Sequence, residues 1–210
     1  MSNPIVLIGG GGHCKSCIDV IESAGVQIAG FIDKDPNSRI EGYKFLGDDL
    51  VIESLIRVKN QFIITIGFIK NPTPRISLYN SIKEMGGQYA TIVSKHAIVS
   101  KHSFIGEGSI VMHQALVNIE SRIGNNCIIN NKSLVEHNSI VGDHSHISTG
   151  AIINGDCVIG NSVFVGSNSV LSQGIHVTDN VIIGAGSVVV KNITEPGVYA
   201  GNPAKKMNHG

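Results

Sequence analysis

Position 137 is a histidine and, eighteen residues further on, position 155 is a glycine. Imidazole is the side chain whose ordinary basicity suits proton transfer near neutral pH. A bare glycine lets a substrate approach its backbone N–H, which can then face an oxyanion. If the fold stacks the two, they suit acyl transfer; otherwise His137 is one more outward-facing polar residue. Glu136, His144 and His146 complete a dense patch, Glu-His-x6-His-x-His. Metal binding is the competing reading, but the spacing does not resemble the histidines of zinc carbonic anhydrases built on similar coils, and no metal is expected. A second group lies near the start, Gly9-Gly10-Gly11-Gly12-His13 after the apolar run Ile5–Ile8. Glycine N–H groups at a helix start suit any phosphate, although a tight turn alone would also explain them. Asp33 follows about 20 residues later, where a dinucleotide fold places its ribose acid. Cys14 and Cys17 read as two residues on a helix, because the context of a redox pair is missing.

What positions these residues is a period of six. Every sixth residue from Val93 to Val189 is aliphatic. Two places earlier in each step sit mostly small residues, such as Ala97, Ser103, Ser109, Ala115, Ser121 and Cys127, with Val163, Ile175 and Val181 the larger exceptions. Helices need a period near 3.6, so a strict six means short strands joined by uniform corners, a parallel β-helix with three sides per coil. Adding 18 moves one rung along such a coil, which puts His137 directly beneath Gly155. Glycines after an aliphatic step (Gly106, Gly124, Gly142, Gly160, Gly166, Gly184) are expected to serve corner conformations that a Cβ penalises. Spacing does not set the hand of the coil, and the crossover rule for parallel strands by itself favours right-handed connections.

Ahead of the coil the pattern is strand, glycine loop, helix, then a strand from Gln27 to Ile32, a helix from Leu50 to Val58, a strand from Phe62 to Ile66 ending at Gly67, and a helix from Pro74 to Met85. This predicts a small Rossmann-like N-terminal domain over residues 1–90, the β-helix over 91–194 and a tail over 195–210. A full NAD or FAD domain needs a longer sheet, which argues against redox chemistry. Lysine plus arginine number 16, as do aspartate plus glutamate, so a nucleic-acid-binding surface is not expected. No apolar run reaches the roughly 18 residues of a membrane span, and the first residues lack a signal-peptide pattern, so a cytoplasmic protein with no membrane partner is expected. The four cysteines, Cys14, Cys17, Cys127 and Cys157, are expected to be free thiols. His96, His102 and His209 are expected at the surface without a role.

Taken together, Ile8–His13, Asp33, the gapless coil, Val135-Glu136-His137, Ser145–Ala151 and the tail Gly197–Lys205 resemble the sugar acetyltransferases of the PglD and NeuD type, among the hexapeptide-repeat acyltransferases. The resemblance implies a left-handed coil. It also implies a homotrimer with acetyl-CoA in the groove between neighbours, and transfer of acetyl to the 4-amino group of a UDP- or dTDP-linked 4-amino-4,6-dideoxyhexose for surface glycans. By matched position, His137 is the general base, Gly155 supplies the oxyanion amide, and Glu136 stands beside the base. His146, Ser167, Ala185 and again Gly155 face coenzyme A. Gly11, Gly12, His13, Asp33, Gly67 and Asn130 face the sugar nucleotide. Better-studied members carry an acid directly after the base; this chain has Asn138, so either Glu136 or another group stabilises the imidazolium as a catalytic partner, or the base is less polarised. Two other readings stay open, O-acetylation of a sialic acid and a non-catalytic trimeric scaffold that binds a nucleotide.

Overall fold

The structure, a computed structural model, describes residues 3–207; His209 lies outside them. Its first part is a parallel five-stranded sheet. β1 (Ile5–Ile8), α1 (Gly12–Ser23), β2 (Ile28–Ile32), β3 (Phe45–Gly47), α2 (Ile52–Arg57), β4 (Gln61–Ile64), α3 (Thr73–Glu84) and β5 (Gln88–Tyr89) follow in chain order. The strand order is β3-β2-β1-β4-β5. The chain leaves β1 to one side and returns on the other at β4, so a crevice opens beyond the carboxyl ends of β1 and β4, the usual ligand position in open α/β sheets. Residues Ile5–Ile8 are fully apolar because both sheet faces are covered. The strand β3 carries no strong sequence signal: Phe45–Gly47 is only three residues long and half-buried at the sheet edge.

The coil is a parallel β-helix of two-residue strands running from Ile92–Val93 to Val188–Val189. Its three faces are sheets of eight, six and five strands, the first including a C-terminal hairpin of Gly197–Gly201 and Ala204–Lys206. Strand partners such as Val117, Val135, Ile153 and Leu171 stand eighteen residues apart, one rung each. The aliphatic positions of the period form one buried column with Ala115, Cys127, Ala151 and Cys157 between them. Small serines at the same places, Ser109, Ser121, Ser133, Ser139 and Ser145, are also buried. Their hydroxyls are satisfied mostly on neighbouring turns, as when Ser109 Oγ donates to Gly124 O and accepts from Cys127 N–H, while Ser133 Oγ donates to Asn130 O on its own turn.

One expectation about the corners is corrected. From Ile105 to Ile183 the left-handed conformation falls three residues after each aliphatic position and is held mostly by non-glycine residues, among them Gln114, Glu120, Asn126, Lys132, Asn138, His144 and Asp156. All of these N–H groups except that of Glu120 are tied to the preceding rung, for example Asn138 N to Ile119 O at 3.1 Å and Asp156 N to His137 O at 3.1 Å. The glycines after the aliphatic step serve a different need, close stacking. A Cβ on Gly106 would lie 2.5 Å from the Gly124 carbonyl carbon, and one on Gly142 2.6 Å from that of Gly160.

The two parts share a core. Ile92, Ile110, Met112 and Ile128 on the first coil face pack with Ile5, Leu7, Cys14, Cys17 and Phe31 of the sheet and α1. Beside this contact His113 bridges Ser94 Oγ at 2.6 Å and Asp19 Oδ2 at 3.0 Å. All four cysteines are buried free thiols, and burial pushes Cys17 and Cys127 up to about 12. Among the described residues no helix is long and apolar enough to cross a membrane.

Candidate active site

The crevice beyond β1 and β4 is a cavity of about 1240 Å3, lined by Gly11, Gly12, His13, Asp33, Gly67 and also His146. Five of these are residues the sequence reading assigned to the sugar nucleotide. Gly11 caps α1 in an extended conformation without a side-chain hydrogen bond. The first-turn N–H groups therefore point outward, free for an anion. Asp33 holds the loop in shape, since Oδ2 accepts Gly10 N–H at 2.5 Å and Oδ1 accepts Asp35 N–H at 2.9 Å. Gly67 leaves room for the His13 ring, whose Cγ would sit 3.4 Å from a Cβ at that position.

His146 belongs to the coil but reaches the cavity from the first face, through the contact with the N-terminal part. Its Nδ1 lies 2.9 Å from Phe68 O and its Nε2 3.1 Å from Asn130 Nδ2. A carbonyl can only accept, so Nδ1 carries the proton and Nε2 accepts from Asn130. Asn130 itself does not line the cavity; it stands behind His146. Phe68 and Phe164 pack edge-on to the same ring at centroid distances of 5.6 and 5.1 Å. Burial, opposed by the Phe68 carbonyl, lowers His146 to about 4. His13, at 6.3 Å between ring centroids, is lowered to about 3 by burial, with His146 and Arg75 adding to it. Its Nε2 is buried with no partner among the described residues. The inner end of the cavity thus holds two neutral imidazoles.

His137 stands elsewhere, on the exposed corner between the second and third faces. The linear patch from Glu136 to His146 is therefore split. His144 accepts from Asn126 Nδ2 at 3.0 Å and packs against Tyr79 at 5.3 Å, filling the contact between the two parts. Among the described residues no group of three or more His, Cys, Asp or Glu is arranged to hold a metal ion.

The stacking of His137 under Gly155 is present. A Cβ on Gly155 would lie 2.6 Å from His137 Cε1 and Nε2. The Gly155 carbonyl accepts from Gly174 N–H at 2.9 Å, while its own N–H has no protein acceptor among the described residues. Glu136 is turned toward the scaffold. Its Oε2 accepts Asn118 Nδ2 at 2.7 Å and the His137 backbone N–H at 3.2 Å, not the ring. Asn138 occupies the left-handed corner at φ 60°, a conformation asparagine tolerates better than most. Ser167 and Ala185 lie one rung apart on the corner between the first and second faces. There the Ser167 hydroxyl meets Ser148 Oγ at 3.0 Å and Ala185 is exposed. Sequence reasoning missed Phe68, Thr65, Asn118 and Arg75. Thr65 is buried against Ile8 O and Gly9 O, at 2.9 and 2.7 Å, and stiffens the glycine loop.

A sheet of this order joined to a six-residue coil defines a class, and the matches agree with it. Residues 4–82 match the PglD N-terminal domain family and residues 156–191 the bacterial transferase hexapeptide family of six repeats. The chain thus joins a PglD-type N-terminal domain to a coil of transferase hexapeptide repeats, the combination of PglD-like left-handed β-helix acyltransferases. Among solved structures, it is similar to the acetyltransferase domain of PglB from Neisseria gonorrhoeae, with 28% identity, a TM-score of 0.92 and coverage of 98% of this chain and 100% of that one. That domain has also been solved with acetyl coenzyme A. It is similar too to PerB from Caulobacter crescentus in complex with CoA and GDP-perosamine, with 28% identity, a TM-score of 0.92 and coverage of 99% of both chains. A sequence search of curated proteins finds no significant match.

Proposed function

We propose that this protein transfers acetyl from acetyl-CoA to the 4-amino group of a nucleotide-linked 4-amino-4,6-dideoxyhexose. The observation that carries the reading is His137 seated on a bare Gly155 whose N–H is free. A second support is the cavity that gathers the glycine loop, Asp33 and two neutral histidines. The PglB domain has been solved with acetyl coenzyme A and PerB with CoA and GDP-perosamine, which between them supply the two ligand types this reading needs.

In this reading His137 and the cavity of one chain serve different sites, and each site is completed between copies. The second coil face supports association, because its outward residues Ile98, Leu116, Leu134, Ile152, Val170 and Val188 form an apolar stripe. A homotrimer gives every stripe a partner and sets the His137 corner beside a neighbour's cavity. The acetyl donor lies along the corner of Ser148, Ser167 and Ala185, whose small side chains leave the rungs accessible.

The chemistry follows from the pair. His137 accepts the proton of the amine as nitrogen attacks the thioester carbonyl, and Gly155 N–H donates to the oxygen that becomes negative. The imidazolium then gives its proton to the departing thiolate, so coenzyme A leaves as the thiol. Glu136 and Asn118 fix the corner on which the base stands. His13, whose buried Nε2 has no partner among the described residues, can hydrogen-bond a sugar hydroxyl or the donor acyl oxygen, while His146, neutral and with both ring nitrogens engaged, lines the cavity without repelling an ammonium.

The test is release of coenzyme A thiol from acetyl-CoA with a panel of UDP-, dTDP- and GDP-linked 4-amino sugars. His137→Ala should lower kcat by about 10²–10⁴-fold while the chain stays folded. An alanine variant as active as the parent, or thiol release only with a sugar hydroxyl, would overturn the reading.

A further inference from the structure

Arg75 lies in the first turn of α3 and is 1% exposed. Its Nη1 donates to the carbonyls of Ile64 and of Ile66, the latter at 3.1 Å, and its Nε donates to Asn126 O at 3.3 Å. One guanidinium thus ties the end of β4 to a corner of the coil. Its Nη2 is buried without a partner among the described residues. The ion pairs among the described residues do not include it. An unpaired buried charge is among the costliest arrangements a fold can keep. Carbonyl dipoles offset it only in part.

The titratable groups nearest Arg75 are uncharged ones, with the carboxylates of Asp143 and Glu107 acting on the far side of them. Cys17 comes from α1, Cys127 from the coil and Tyr89 from β5, while His13, His144 and His146 stand close enough to be lowered by the charge. Two of those histidines line the cavity, as do Thr65 and Ile66 from the segment that Arg75 holds. The charged residues that line the cavity have the opposite sign in excess. Asp33 and Asp49 oppose Lys34, and Lys34 is already 3.7 Å from Asp49. This lining alone would repel a diphosphate.

We propose that Arg75 is the buried counter-charge for the diphosphate of the nucleotide-linked substrate, a positioning residue that attracts the anion into the cavity while it bolts the cavity wall to the coil. The inference rests on reading this cavity as the nucleotide-sugar site. It acts with the first-turn N–H groups of α1 and through space, since Arg75 is not part of the lining. A buried cation is little screened by salt and needs no rearrangement when the anion arrives.

The experiment is calorimetric titration of UDP, dTDP, GDP and coenzyme A, each alone, into the full-length protein and its variants at pH 7. Arg75→Met should weaken the best-bound nucleoside diphosphate by at least about tenfold and leave coenzyme A within about twofold. Arg75→Lys, which keeps charge but loses the fork of carbonyl bonds, should recover most of the nucleotide affinity. Unchanged nucleotide binding in Arg75→Met overturns the proposal. So does equal loss of both ligands without rescue by lysine, which marks a purely structural role. If the parent protein binds none of the three nucleotides, the cavity reading itself falls and takes the proposal with it, a result visible before any substitution is made. Should Arg75→Met fail to fold, Arg75→Lys against Arg75→Gln carries the comparison, because both lose the fork and only lysine keeps the charge. Equal nucleotide affinity of that pair refutes the assignment.

Discussion

Replacing Gly155 by alanine adds one methyl and leaves the backbone N–H in place. The methyl carbon would stand 2.6 Å from Cε1 and Nε2 of His137 and 3.2 Å from Nδ1. Non-bonded carbon atoms settle at about 3.5–4.0 Å, so the imidazole must retreat by about 1 Å. Gly155 is not among the residues with positive φ, so alanine introduces no backbone strain. His137 is exposed and can swing outward, so the cost to stability should stay within about 0.5 kcal/mol. A catalytic group misplaced by about 1 Å loses on the order of 10²-fold in rate. The expected result is a kcat about 100-fold lower at saturating acetyl-CoA, with a thermal midpoint shifted by no more than about 1–2 °C. Thiol release read with a chromogenic disulfide gives the rate, and scanning calorimetry gives the midpoint. The double variant with His137→Ala should be no slower than His137→Ala alone, because both substitutions disable the same base. A Gly155→Ala protein within about threefold of the parent rate, with its midpoint unchanged, would refute the stacking argument.

Acid should destabilise the fold through its buried imidazoles. His13 and His146 are lowered to about 3 and about 4, chiefly by burial, so the unfolded chain takes up protons below about pH 6.5 that the folded chain refuses. Stability is therefore intact above that pH and falls as the pH drops from there to about 4 for His146 and to about 3 for His13. The slope is at most about 1.4 kcal/mol per pH unit for each ring, or about 2–3 for the two. Urea midpoints at pH 7, 6 and 5 read this directly, and a flat series would contradict the buried-neutral assignment. In the coil, Gly142→Ala places a methyl 2.6 Å from the carbonyl carbon of Gly160, backbone that cannot step aside. It should cost about 1–3 kcal/mol, seen as a lower denaturant midpoint, whereas Gly12→Ala in the N-terminal part, where a Cβ meets nothing within 4 Å and φ is not positive, should cost less.

Why some of this could be read from the residues and some could not has a physical reason in each case. The coil was legible because its period is exposed in every turn, and once eighteen residues make a rung, Gly155 above His137 follows by addition. The strand, glycine loop and helix were legible because bare N–H groups at a helix start need those residue types. Asp33 and Gly67 then meet the glycine loop because β1, β2 and β4 are neighbours ending on one edge. The role of the glycines after each aliphatic step was not legible. Glutamine, lysine and histidine hold the left-handed corners through bonds to the rung before, and what demands glycine is a backbone one rung away, invisible in a local window. The histidine patch does not act as one group for a related reason, since nearness along the chain hides the turn of the coil between Val135 and Ile147. Arg75 had no signal at all. On α3 it looks like any solvated cation, and only the docking of helix against coil decides that this one is enclosed. That docking also places Phe68 O against His146, so the least legible residues lie at the seam where the nucleotide cavity meets the coil. A seam of this kind depends on shape complementarity between two parts of the chain, and no single segment encodes it.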